Sequence, residues 1–324
     1  MRQHVVILFD LDLAKGGYSM SEAAFEPIGI MAPKVFGIPV DQEILFSNHK
    51  EAYKKRIEKR QRKLIVKIPY IKPFLRKGEK ILLITTGYSP LASLAQYLTG
   101  FIFIYLKRSL FIFTNYRIFH VPCTPSYKFK NSIAQVAYTG CQSIMLKGGT
   151  LTVKYVKYGK VEKFKGIAAP ERKKIRALLK KTIPLTGTKR QLTHRVHLCP
   201  RCRHPLAVAV YTCANCQLGF KSRVAATIRA ILIPGGGYFY NRHYLIGFLN
   251  ALSEIFLMFF LVIIVKDIVD GTQISPMHLV ALPLVLLFIK TATVVHSTHF
   301  IAEFIPKDKK IGRLKEPPQK MDAG

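Results

Sequence analysis

The chain has 324 residues, 49% apolar and 21% charged, which is too apolar for bulk disorder and too long for one small domain. Its formal net charge of +32 is unevenly placed: residues 1–49 carry three Lys/Arg and six Asp/Glu, whereas residues 50–243 carry 39 Lys/Arg and five Asp/Glu. A solvated basic surface alone does not account for that bias, which points to an anionic partner, either phospholipid or nucleic acid, with the membrane the expected one.

Residues 1–48 are the least readable. The run "VVILF" is too short for the apolar core of a signal peptide, and Asp10 and Asp12 follow where a cleavage site belongs. The segment is therefore expected to stay in the reducing cytoplasm. Asp-x-Asp after an apolar run also occurs in phosphatases with an aspartyl nucleophile, but those enzymes need a Thr/Ser, a Lys and a later acidic pair on a large α/β domain, and nothing after residue 13 supplies such a fold. Residues 49–77 hold a basic helix candidate, "NHKEAYKKRIEKRQRKLIVK", with Tyr53, Ile57 and Leu64 roughly on one side. Two readings stand for it: a solvated helical linker, or a helix docked electrostatically on anionic lipid through Lys54, Lys55, Arg56, Lys59, Arg60, Arg62 and Lys63.

Residues 78–183 read as a β-rich domain closed by a helix. "EKILLITTG" is strand-like, "RSLFIFTNYRIFHVP" is two strands around a tight turn at residues 114–116, and "TLTVKYVKYGKVEKFKG" is a hairpin with Gly159 at its tip. "PERKKIRALLKK" then starts a helix at Pro170 and places Ile175, Leu178 and Leu179 on one face. "GEKILL", "LFIFTNYRIFHV", "SIAQVAY", the Gly-tipped hairpin and the basic helix together resemble a bacterial pleckstrin-homology-like (PH-like) domain of the GRAM-related kind. The resemblance covers about 105 residues and rests on Gly78, Glu79, Thr114, Asn115 and Arg117. It implies a β-barrel plugged at one end by its last helix, and a binding or scaffolding module. The sequence departs from that pattern at residues 89–105, an apolar insertion that reads as an amphipathic helix touching the bilayer or as a third span. Cys123 and Cys141 stand alone and read as core residues.

"CPRCRHPLAVAVYTCANC" lies within residues 195–222 and has the spacing of a zinc ribbon. Each CxxC forms a knuckle that turns two thiolates inward, so Cys199, Cys202, Cys213 and Cys216 complete a tetrahedral, structural zinc site. Disulfides or free thiols are the alternative, which a cytoplasmic position disfavours. His197 and His204 are spare ligand types. Arg201, Arg203, Lys221 and Arg223 would lie near lipid headgroups.

Residues 226–303 are expected to enter and cross a membrane. Residues 228–233 are a short apolar piece stopped by Pro234, and Gly235, Gly236 and Gly237 permit a tight turn. The segment is expected to lie at the membrane surface as an interfacial entry to the first span, and "IPGGGYFYN" resembles the lead-in of small bacterial two-span membrane domains that often follow a zinc ribbon. The spans are residues 244–265 and 277–301, each with one charge, Glu254 and Lys290. Basic flanks, including the tail at 304–324, put both termini in the cytoplasm by the positive-inside rule. Counted from a turn near Gly271, the two charges fall at nearly equal depth. They either pair, within one chain or between protomers, or Lys290 snorkels while Glu254 is protonated.

The expected fold class is thus α+β: a PH-like β-barrel closed by a C-terminal helix, a small zinc ribbon and a transmembrane helical hairpin. No nucleophile–base set, open metal site or cofactor fingerprint appears. The expected function is that of a non-enzymatic, multi-pass protein of the bacterial inner membrane that binds anionic phospholipid or a protein partner, including a second copy. A membrane-tethered nucleic-acid binder and a transporter or channel subunit are the alternatives.

Overall fold

A computed structural model describes residues 34–90, 107–181, 183, 192–208, 210–271, 276–308 and 311. The Asp-x-Asp stretch, nearly all of the 89–105 insertion and most of the C-terminal tail lie outside these residues.

The chain begins with a small ribbon, β1 (Lys34–Val35) and β2 (Ile38–Pro39), followed by α1 (Gln42–Phe46). The Asp41 carboxylate starts α1 by accepting from Ile44 N–H at 2.9 Å. Next comes the basic helix α2 (Lys55–Ile65). It does not run free between domains: Gln61 and Ile65 are buried. Gln61 Nε2 donates to Ile84 O at 2.9 Å and its Oε1 accepts from Ile84 N–H at 3.0 Å. The side-chain amide thus serves a stretch of strand backbone just past a register shift between Ile81 and Leu83. Tyr53 precedes the helix and is exposed, so the apolar side runs through Ile57, Gln61, Leu64 and Ile65 instead.

β3 (Ile81–Tyr88), β4 (Arg108–Thr114), β5 (Arg117–Pro122) and β6 (Ile133–Ala137) form an antiparallel meander. β7 (Cys141–Lys147), β8 (Thr150–Tyr155) and β9 (Val161–Phe164) make a second, three-stranded sheet. Phe111, Phe113, Val136, Ile144, Val153 and Phe164 pack between the sheets, and α3 (Ala169–Lys181) adds Ile175 and Leu178 to that core. The opposite face of the larger sheet is covered by the N-terminal segment through Val40, Leu45, Ile65, Ile71 and Phe74. Burial on both faces explains why β4 and β5 read as unbroken apolar runs rather than alternating ones.

The expected closed barrel is not found among the described residues. Two backbone bonds, Tyr88 N–H to Lys165 O at 2.9 Å and Ala168 N–H to Thr86 O at 3.0 Å, tie the sheets along one side. No strand ladder among the described residues joins them. At the other side β6 pairs with β10 (Val196–Leu198), the first strand of the cysteine module, in register Val196↔Gln135 to Leu198↔Ile133. β11 (Pro205–Leu206) follows, so the sheet order is β11-β10-β6-β5-β4-β3. A strand from outside the β-domain takes the hydrogen-bonding side that barrel closure would require.

The five residues that carried the family resemblance meet at one corner. Arg117 Nη2 lies 2.7 Å from Glu79 Oε2 and also donates to Phe74 O at 2.7 Å. Thr114 Oγ1 donates to Glu79 Oε1 at 2.7 Å, and Asn115 bridges Gly78 O and Lys80 N–H. This buried network fixes the start of β3 against the β4–β5 turn.

After the cysteine module come α4 (Arg223–Leu232), α5 (Gly236–Tyr240), α6 (Tyr244–Val269) and α7 (Pro276–Ile301). Tyr244–Val269 and Leu279–Ile301 are long and apolar enough to cross a membrane, with mean hydropathies of 2.5 and 2.0. Lys221 N–H donates to Ile305 O at 3.0 Å, whereas Ala230 O accepts from Lys290 Nζ at 3.3 Å. α4 therefore runs beside α7 from its C-terminal end inward. The chain turns at Pro234–Gly237 and α5 returns, with Asn241 Nδ2 donating to Ser297 O at 3.1 Å. The expected surface lead-in is thus a short helical hairpin that reaches the level of residue 290. Two glycines make the turn possible. Gly235 has φ +64°, and a Cβ on it would stand 2.1 Å from Gly247 O; one on Gly237 would stand 2.1 Å from Ser297 Oγ.

Candidate metal centre and buried charge pair

The four-cysteine cluster is built from two equivalent turns. In one, Arg203 N–H donates to Cys199 O at 2.9 Å and Cys199 N–H to His204 O at 2.9 Å; in the other, Gln217 N–H donates to Cys213 O and Cys213 N–H to Leu218 O, both at 3.0 Å. Arg203 and Gln217 occupy matching left-handed positions, φ +66° and +55°. The turns point their thiols at one another. Cys199 Sγ lies 3.5 Å from Cys216 Sγ, Cys202 Sγ lies 3.5 Å from Cys213 Sγ, and all four sulfurs fall within 4.8 Å of one another without a disulfide. A tetrahedron of ~2.3 Å metal–sulfur bonds sets sulfurs roughly 3.8 Å apart, so the donor set fits one metal ion. Burial holds the Cys199 and Cys202 thiols above their usual range; at Cys213 the same effect is outweighed by the N–H groups of Cys216 and Asn215 and by Cys202, and the thiol is lowered. His197 and His204 do not join the cluster: His204 is exposed, and the His197 ring packs on Phe304 with centroids 4.7 Å apart.

The module is seated on the chain that leaves α7. Phe220 pairs with Pro306 in an isolated bridge, Lys307 N–H donates to Gly219 O at 3.0 Å, and Phe304 packs edge-on to Phe220. With β10 on β6, the module joins the sheets to the open end of the helical hairpin.

A buried ion pair reinforces that junction. Lys107 Nζ lies 3.1 Å from Glu303 Oε1, with the two side chains 1% and 2% exposed. Ser132 Oγ donates to Glu303 O, and His299 Nε2 lies 3.0 Å from Pro90 O. Burial pushes the Glu303 carboxyl up, but Lys107, Lys130 and His120 outweigh it and hold the group well below the usual carboxylate range. Burial also holds the Lys107 ammonium down at about 8 despite Glu303. Sequence reading missed this pair, because Lys107 ends an apolar insertion and Glu303 follows a span, and nothing local links positions so far apart.

Within the hairpin, Lys290 Nζ lies 2.7 Å from Glu254 Oε2. Glu254 is fully buried, and its second oxygen accepts from Asn250 Nδ2 at 2.6 Å. Lys290 Nζ donates to Ala230 O at 3.3 Å. Thr293, His296 and Ser297 continue the buried polar line along α7, and His296 Nδ1 is bonded to Tyr238 OH.

The basic residues divide. Lys54, Lys55, Arg56, Lys59, Arg62, Lys63 and Arg223 are exposed, although Arg62 pairs with Glu58 at 2.7 Å. Arg60 is tied to buried Glu171, Arg201 is half-buried, and Arg203 Nη1 donates to Pro73 O at 2.8 Å. Lys221 is not a surface contact. It is 3% exposed and donates to Tyr240 O, because the α5–α6 corner folds back over it.

Compared with protein-family models, curated proteins and solved structures, the chain matches none.

Proposed function

We propose that the chain is a non-enzymatic integral protein of the bacterial inner membrane, whose PH-like domain and zinc ribbon are held on the cytoplasmic side of the bilayer by a two-span hairpin and bind anionic lipid or a protein partner. The observation that carries this reading is the polarity of the hairpin: Phe256, Val262 and Leu287 are exposed, while Glu254, Thr293 and Ser297 are buried. That distribution suits a lipid surround and no aqueous one. The Glu79–Arg117 corner and the helix capping the inter-sheet core support the PH-like reading. The four convergent thiols support zinc, which would supply folding energy to a module whose buried core is Leu206, Leu218, Phe220 and the cysteines themselves. The basic flanks support cytoplasmic termini.

The test is made on native membranes. The protein should stay in the pellet after alkaline carbonate extraction, carry about one zinc per chain, and report a cytoplasmic Gly324 and a periplasmic Gly271 in reporter fusions. Release by carbonate would end the membrane reading, and the opposite reporter pattern would reverse its orientation.

A further inference from the structure

A cavity of about 480 Å³ opens where α4 begins, α5 ends and α6 begins, beside the chain leaving α7. Its wall includes Lys221, Arg229, Arg242 and Lys307, with Tyr240 and Tyr244, and no Asp or Glu lines it. Among the described residues none of these four cations takes part in an ion pair. Their partners are neutral. Lys221 Nζ donates to Tyr240 O and sits 5.2 Å over that ring, Arg229 sits 4.3 Å over the same ring, and Arg242 Nη2 donates to Lys307 O. These contacts aim the cations at one space without neutralising them. Burial pushes the Lys221 ammonium down to about 7, and Arg242 and Arg229 add repulsion. Such a cluster is stabilised by an anion, and guanidinium forks match phosphate oxygens.

The neighbourhood narrows the anion. In the membrane reading above, on which this inference rests, the cavity lies at the water boundary of the bilayer, where basic pockets between helices take acidic headgroups. Val224 and Ile228 of α4, on the helix whose Ala225 lines the cavity, are 67% and 51% exposed and offer an apolar track alongside. An amphiphile satisfies both features; a free ion satisfies one.

We propose that this cavity binds the phosphate headgroup of an acidic phospholipid, with Lys221, Arg229, Arg242 and Lys307 as its cationic wall and the apolar side of α4 beside the acyl chains.

The full-length protein in mild detergent is titrated with dioleoyl phosphatidylglycerol or dioleoyl phosphatidylcholine, and bound lipid is counted by native mass spectrometry. The phosphatidylglycerol adduct should form at one per chain and at roughly tenfold lower lipid concentration than phosphatidylcholine, since each 1.4 kcal/mol is a factor of ten. The double variant Arg229→Gln with Arg242→Gln should lose that preference, whereas Arg223→Gln, exposed and outside the cavity, should keep it. An unchanged thermal midpoint for the double variant separates lost binding from lost fold; should it unfold, Arg229→Gln alone, at an exposed position, is expected to weaken the adduct several-fold. Equal retention of both lipids, or a preference untouched by Arg229→Gln, overturns the proposal. Displacement of phosphatidylglycerol by equimolar inorganic phosphate overturns it in favour of a free-phosphate site. Carbonate extraction of the same variants keeps the two readings apart: an integrated protein without headgroup preference removes this site alone, while an extractable protein removes the membrane reading itself.

Discussion

The sheets and the helical hairpin are built with opposite polarity. Around β3–β9 most buried side chains are apolar, Phe111, Phe113, Ile118 and Val153 among them, and Lys147, Lys160, Lys163 and Lys165 are exposed. Around α6 and α7 most of the large apolar side chains are outside, Phe300 and Ile301 at the end of α7 excepted, and the other buried groups include a carboxylate, hydroxyls and an imidazole. The same burial rule acts in both: each side chain goes where its transfer from the surrounding solvent costs least. In the proposed membrane reading the contrast follows the solvent, with Lys107, Glu303 and Lys221 lying where it switches.

If the four thiols hold zinc as proposed, removing it should have the largest effect on this contrast, since structural zinc contributes on the order of 10 kcal/mol to a small module. Chelation, or Cys213→Ser, is expected to unfold residues 195–222 while α6 and α7 stay helical, read by limited proteolysis against circular dichroism in detergent. Next come single deletions at the buried charges. Lys290→Met leaves Glu254 without its cation and should cost about 3–5 kcal/mol, with Glu254→Gln added in the double variant recovering much of it. If the two single losses simply add, the 2.7 Å contact carries no coupling. Phe113→Ala and Phe256→Ala set the two cores side by side. The first removes a side chain packed between sheets and should cost about 3–5 kcal/mol. The second removes one that is 60% exposed and should cost under about 1 kcal/mol in detergent. Equal costs would show that Phe256 is packed against protein. The smallest effect is on pH. Glu303 is held well below its ordinary value of 4.5, so the stability it contributes is fully present above that value and is lost progressively as pH falls from it through the lower folded-state value. Thermal midpoints should fall between pH 5 and 3, and less so in Glu303→Gln.

What could be read in the sequence was what is encoded locally. Cys199 to Cys216 carry their own spacing, the spans their own hydropathy, and counting residues from Gly271 was enough to set Glu254 level with Lys290. The strands of the meander were legible for the same reason, since apolar runs and turn residues such as Asn115 act over a few positions. What escaped depended on distant partners. The buried side of α2 is defined by Gln61, whose partner is the backbone of Ile84, and a polar residue on a charged helix gives no sign of that burial. Barrel closure was expected from the resemblance to PH-like domains, yet β10 arrives from about sixty residues further on to pair with β6. Lys221 looked like any basic residue beside a span until the α5–α6 corner covered it.

The docking of β10 has a consequence for how the protein fails. While the module is folded, the sheet ends in β11, a two-residue strand that begins with Pro205 and offers little to a neighbouring molecule. If the module opens, β6 is bared instead, and Ile133 to Ala137 can template strand addition between copies. Metal starvation would then appear as self-association at the membrane surface before any loss of the spans. A metal held by the four thiols would guard the colloidal behaviour of the β-domain as well as the shape of its own loops.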